Sequence, residues 1–122
     1  MPRITHFDIP ADNPDRALGF YKTVFGWESQ KWDGPMDYWM LTTGSADQPG
    51  IDGGLMQRPH PQATTVNTIE VDSVDEYLTK VEAGGGQMVD GKKAIPGVGY
   101  LAYCTDTEGN TFGLFQQDES AQ

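Results

Sequence analysis

The chain has 122 residues, enough for one ordinary domain with one main core, and its 37% hydrophobic and 11% aromatic content is that of a folded protein. Eight Lys and Arg face eighteen Asp and Glu, a formal net charge of −10, a balance that repels phosphate backbones and argues against a nucleic-acid partner. No apolar run approaches the ~20 residues of a membrane helix, and the chain enters a strand pattern at Ile4 without an apolar leader, so no membrane role and a cytoplasmic location are expected.

Ile4 to Ile9 alternates as a strand does, with Ile4, His6 and Asp8 on one face and Thr5, Phe7 and Ile9 on the other. Asn13-Pro14-Asp15 then supplies a helix start, with Asn13 as N-cap, Pro14 in the first helical position and Asp15 in the electropositive first turn. Ala17, Leu18, Tyr21, Val24 and Phe25 form one helical stripe, which Gly26 ends as a left-handed cap. Strands are expected over 38–43 and 51–57, the latter with Gly53-Gly54 inside it. The two prolines of Arg58-Pro59-His60-Pro61-Gln62 break regular structure and mark a linker, in which His60 is exposed.

The order then repeats. Residues 66–71 read as a strand, and Ser73-Val74-Asp75-Glu76 is a capping box opening a helix whose stripe is Val74, Tyr77, Leu78 and Val81. Gly84-Gly85-Gly86 stops it. A short strand over 87–89, a longer one over 99–105 and a last one over 111–116 complete the half. Ile95 to Gly99 is read as a flexible rim loop. The lone cysteine, Cys104, has no partner for an internal disulfide, which agrees with a reducing compartment. Each half is therefore read as one β-α-β-β-β module: 1–57, then the linker 58–62, then 63–117 and a frayed polar tail over 118–122. The coincidence of element order, helix caps and stop glycines carries the repeat, with identities such as Ile9/Ile69, Asp12/Asp72, Leu18/Leu78 and Gly26/Gly86, each 60 residues apart, as weaker support.

The segments His6-Phe7-Asp8-Ile9, Asp15-Arg16-Ala17-Leu18-Gly19-Phe20-Tyr21 and Val24-Phe25-Gly26-Trp27 resemble the opening of the vicinal oxygen chelate superfamily. That superfamily includes glyoxalase I, bleomycin- and fosfomycin-resistance proteins and extradiol dioxygenases. Asp106-Thr107-Glu108-Gly109-Asn110 followed by an apolar strand resembles its usual ending, with Thr107 where relatives carry proline. The resemblance implies an α+β fold of two βαβββ modules forming an open, barrel-like cleft, and single-domain relatives imply a homodimer. Metal-dependent relatives carry a His on the first strand of each module and a Glu or other oxygen donor on the last. Here those positions are His6, Val66, Gly54 and Gly113, so three of four cannot ligate, and a divalent ion held by His6 alone would be weak. No metal site and no cofactor are expected.

Other residues suggest where a ligand sits. Tyr38, Trp39 and Met40 on one long strand, and Tyr100 and Tyr103 on its counterpart, can line an aromatic pocket for a flat small molecule. Core packing is the competing explanation for part of that group. Gly54 and Gly113 allow close approach. His6, Asp8 and Glu70 are the candidate acid–base groups, with an ordinary hydrogen-bonded strand histidine as the plainer reading of His6. The expected function is metal-free small-molecule binding. The rival is a glyoxalase-like lyase, isomerase or dioxygenase with a non-standard or metal-free site, and an accessory domain that binds a protein partner is a third.

Overall fold

A computed structural model describes residues 2–122 and divides them into two compact units, His6–Thr65 and Val66–Gln122 with the residues up to Thr5. The elements run β1 (Arg3–Ala11), α1 (Pro14–Phe25), β2 (Glu28–Lys31), β3 (Tyr38–Thr42), β4 (Gly53–Gln57), then β5 (Val66–Glu70), α2 (Val74–Ala83), β6 (Gln87–Ile95), β7 (Gly99–Thr105) and β8 (Thr111–Gln117). The α+β character and the twofold βαβββ order are those expected.

Within the first unit the strand order is β2-β3-β4-β1, and β1 runs parallel to β4 while β3 is antiparallel to it. The register sets Asp8 opposite Gly54 and Gly54 opposite Met40. The second unit repeats this as β5-β8-β7-β6, with Thr68 opposite Gly113 and Gly113 opposite Tyr103. By ladder position, then, Asp8 matches Thr68, Gly54 matches Gly113, and Met40 matches Tyr103. Tyr100, 60 residues from Met40, is not its structural counterpart.

Each sheet has a helix face and an open face, and strand alternation decides which residues go where. In the first unit Ala11, Leu41 and Leu55 are buried beneath α1 with Phe7, Ile9, Ala17, Leu18, Tyr21, Trp27 and Trp39 around them. The helix starts where the caps predict: the Asn13 side chain accepts from the Arg16 N–H, and Gly26 closes it at φ 76°. The stripe is shorter than expected, however. Val24 and Phe25 are exposed, and Phe25 lies against Tyr21 and Trp27 at the surface.

The second unit buries Val71, Val74, Ala102, Cys104 and Leu114, flanked by Ile69, Tyr77, Leu78, Val81, Tyr100 and Phe112. Ser73 caps α2 by accepting from the Glu76 N–H. Cys104 is fully buried, and that burial pushes its thiol above the usual range, so it is a packing residue and not a nucleophile. The Asp106 carboxylate accepts from the backbone N–H groups of Asn110 and Glu108, bonds that hold its pKa below the usual value and tie the turn before β8.

Four segments differ from the sequence expectation. Strand β2 has no apolar residue and all four of its residues are exposed, so nothing in the pattern marks it; pairing with β3 makes it an edge strand. Strand β6 runs on to Ile95 through two register shifts, the irregularity that hides it. Residues 95–99 are not a flexible rim loop and the tail is not frayed. Pro96 and the left-handed Gly97 form a tight turn in which the Val98 N–H bonds the Ile95 carbonyl at 2.9 Å. The Gly97 N–H then bonds the Ala121 carbonyl at 3.0 Å, the Asp118 N–H bonds the Val98 carbonyl at 3.0 Å, and Ala121 is only 2% exposed. Among the described residues no helix is long and apolar enough to cross a membrane.

Candidate functional site

The open face of the first unit gathers three polar side chains from two strands. His6 and Asp8, two residues apart on β1, point the same way because of the pleat. The first residue of β3, Tyr38, meets them: its hydroxyl donates to Asp8 Oδ1 at 2.7 Å and lies 2.8 Å from His6 Nε2. The imidazole Nε2 is also 3.1 Å from Asp8 Oδ1. Asp8 is held inward, its side chain 13% exposed, whereas the His6 side chain is 38% exposed.

Gly54 makes this cluster possible. A Cβ at that position would lie 1.7 Å from the Tyr38 hydroxyl oxygen and 2.1 Å from the ring carbon that bears it. The phenol therefore occupies the volume a side chain at position 54 would need. Trp32, in the turn before β3, meets Tyr38 edge-on with ring centroids 6.2 Å apart, and its backbone N–H donates to the Tyr38 backbone carbonyl. Met40, 42% exposed, shares the Tyr38 face.

The remaining residues singled out from the sequence are dispersed. Trp39 lies on the helix face of β3 and packs into the first core, and Tyr100 packs into the second, where Lys92 sits 4.4 Å from its ring centroid. Neither is placed to line a ligand surface; alternation turns both to the helix side. Tyr103 is half-buried on the open face of the second unit opposite Gly113. There the equivalent of Gly54 is also closed off, because a Cβ on Gly113 would lie 2.7 Å from the Thr68 hydroxyl. Glu70 belongs to the second unit, exposed beside a shallow depression of about 240 Å³ that Arg3, Asp72 and Tyr77 also line. Trp32 escaped the sequence reading, because a lone aromatic before Asp33-Gly34-Pro35 belongs to no periodic pattern.

A divalent metal of the kind the resemblance implies does not fit this donor set. Among the described residues no three His, Cys, Asp or Glu side chains come together. His6 and Asp8 are bonded to each other and to a phenol, and Val66, Gly54 and Gly113 offer no donor.

Residues 3–114 match the Glyoxalase/Bleomycin resistance protein/Dioxygenase superfamily. The chain belongs to that superfamily. Among curated proteins, CFP32 of Mycobacterium bovis and its Mycobacterium tuberculosis counterpart, which carry a provisional glyoxylase designation, are 31% identical over 113 residues. That match covers 89% of this chain but 42% of theirs, so the superfamily chain described here spans less than half the length of those relatives. Among solved structures, a methylmalonyl-CoA epimerase variant of Streptomyces coelicolor bound to 2-nitronate-propionyl-CoA aligns with TM-score 0.71 at 14% identity, covering 98% of this chain and 97% of its own. A hypothetical protein of Bacillus halodurans aligns with TM-score 0.71 at 15% identity over 99% and 98% of the two chains. At those identities the likeness establishes the fold.

Proposed function

We propose that this superfamily member binds a small molecule on the open face of its first module, with His6 as the polar anchor and Trp32, Tyr38 and Met40 as the flat apolar wall, and that it does so without a metal. The observation that carries this reading is the His6–Tyr38–Asp8 cluster built over Gly54. It sets a phenol over Gly54, where the resemblance would place a metal-binding carboxylate, and leaves the His6 side chain 38% exposed. The methylmalonyl-CoA epimerases of similar fold hold acyl-CoA ligands, which supports small-molecule binding as a use of the fold.

A fragment screen read by NMR on the intact chain tests it. Hits are expected to perturb Tyr38, Trp32 and His6, and His6→Ala should weaken them by ten- to a hundredfold, the loss of about 1.4–2.8 kcal/mol. Hits that bind the His6→Ala protein with unchanged affinity contradict the proposal.

A second reading is favoured by one contact. A carboxylate beside an imidazole orients it for proton transfer, so the Asp8–His6 pair also suits a metal-free glyoxalase-like lyase or isomerase. Turnover of hemithioacetals, catechols or epoxides that disappears in His6→Ala would select that reading over simple binding.

A further inference from the structure

In the cluster, two protons serve three contacts. The Tyr38 hydroxyl spends its proton on Asp8 Oδ1 at 2.7 Å, so what it offers His6 is a lone pair. Asp8, as a carboxylate, likewise offers only lone pairs. His6 Nε2 faces both oxygens, at 2.8 and 3.1 Å. An unprotonated Nε2 would turn its lone pair toward two acceptor oxygens beside a mostly buried carboxylate, which is a repulsive arrangement. A proton on Nε2 satisfies both oxygens at once.

We infer that Tyr38 and Asp8 lock His6, in its neutral form, in the tautomer protonated at Nε2, so that Nδ1 is then a lone-pair acceptor and the ligand is an uncharged or cationic molecule presenting an N–H or O–H to it. Nδ1 has no hydrogen-bond partner among the described residues. The charges around the site point the same way. The unit's basic residues are Arg16, Lys22, Lys31 and Arg58. Lys22 pairs with Glu28, Lys31 with Asp37, and Arg58 with Asp12, while Arg16 is on the helix. None of them is offered to an anion at His6. The Tyr38 hydroxyl thus positions the imidazole, in addition to the contact its ring offers the ligand. The ligand class rests on the binding reading above; the tautomer does not.

The chain has two histidines, and exposed His60 serves as an internal reference. Long-range ¹⁵N–¹H correlation spectra of histidine-labelled protein at pH 9, well above the ordinary histidine pKa of about 6.5, report which ring nitrogen carries the proton. The expected result is a His6 protonated at Nε2 alone, with His60 showing the mixture of a free imidazole. In the double variant with Asp8→Ala and Tyr38→Phe, His6 should move to the His60 mixture. A His6 protonated at Nδ1, protonated at both nitrogens, or indistinguishable from His60 in the unsubstituted protein overturns the inference and leaves the binding site standing. Titration with phenol, anisole and benzoate then tests the ligand class. Phenol should shift the His6 Nδ1 resonance and bind about tenfold more tightly than anisole, the worth of one hydrogen bond. Benzoate binding as well as phenol overturns the ligand class. A correct tautomer that no probe perturbs overturns the site itself.

Discussion

Gly54→Ala is expected to lower folding stability by roughly 3 kcal/mol and to abolish ligand binding at His6. The added methyl would lie 1.7 Å from the Tyr38 hydroxyl oxygen, far inside contact distance, so the phenol has to swing away. Its departure removes the hydroxyl from Asp8 and from His6 and leaves a largely buried carboxylate with one partner fewer. Hydrogen bonds to charged groups are worth about 1.5–3 kcal/mol, and overpacking adds its own strain. The origin of the loss can be isolated by a double-mutant cycle in urea. If the phenol is what the methyl displaces, Tyr38→Ala with Gly54→Ala should cost no more than Tyr38→Ala alone. Additive losses would show that the backbone, not the phenol, resists a side chain at position 54.

The adjacent residue gives the second large effect and the opposite signature. Leu55 is fully buried on the helix face, packed with Leu41 and Ala11 beneath α1. Leu55→Ala should cost about 2–5 kcal/mol through lost burial and the cavity left behind. Because the pleat points its side chain away from His6, ligand affinity of the folded fraction should be unchanged. Chemical denaturation and a binding titration below the unfolding transition measure the two quantities separately. A large affinity loss in Leu55→Ala would mean that the open face depends on core packing more than the strand geometry implies.

These two neighbours show what could be read before the structure. Period-two alternation placed His6 and Asp8 on one face, and the helix limits followed from Asn13, Pro14 and Gly26. Those signals are local, set by backbone geometry within a few residues. The same alternation, applied to β3 and β7, would have sent Trp39 and Tyr100 to the helix side had the helix face been known, but which face a strand buries is a tertiary fact. The meeting of Tyr38 with His6 and Asp8 was not legible, because it joins positions 30 and more residues apart through the β1–β4–β3 register. In the sequence Gly54 signals only that something can approach closely; the structure shows that what approaches is the Tyr38 phenol. Strand β2 and the tail were missed for one reason. Both are polar and are held by backbone hydrogen bonds, which leave no hydrophobic pattern.

If the first module binds its ligand through the hydrogen-bonded His6–Tyr38–Asp8 cluster, a divalent metal has no place there. The most direct test is the metal content of protein purified without chelator, followed by calorimetric titration with zinc, nickel, manganese and iron(II). Far less than one metal per chain is expected, and no binding that His6→Ala removes. Near-stoichiometric metal, lost in His6→Ala, would contradict it.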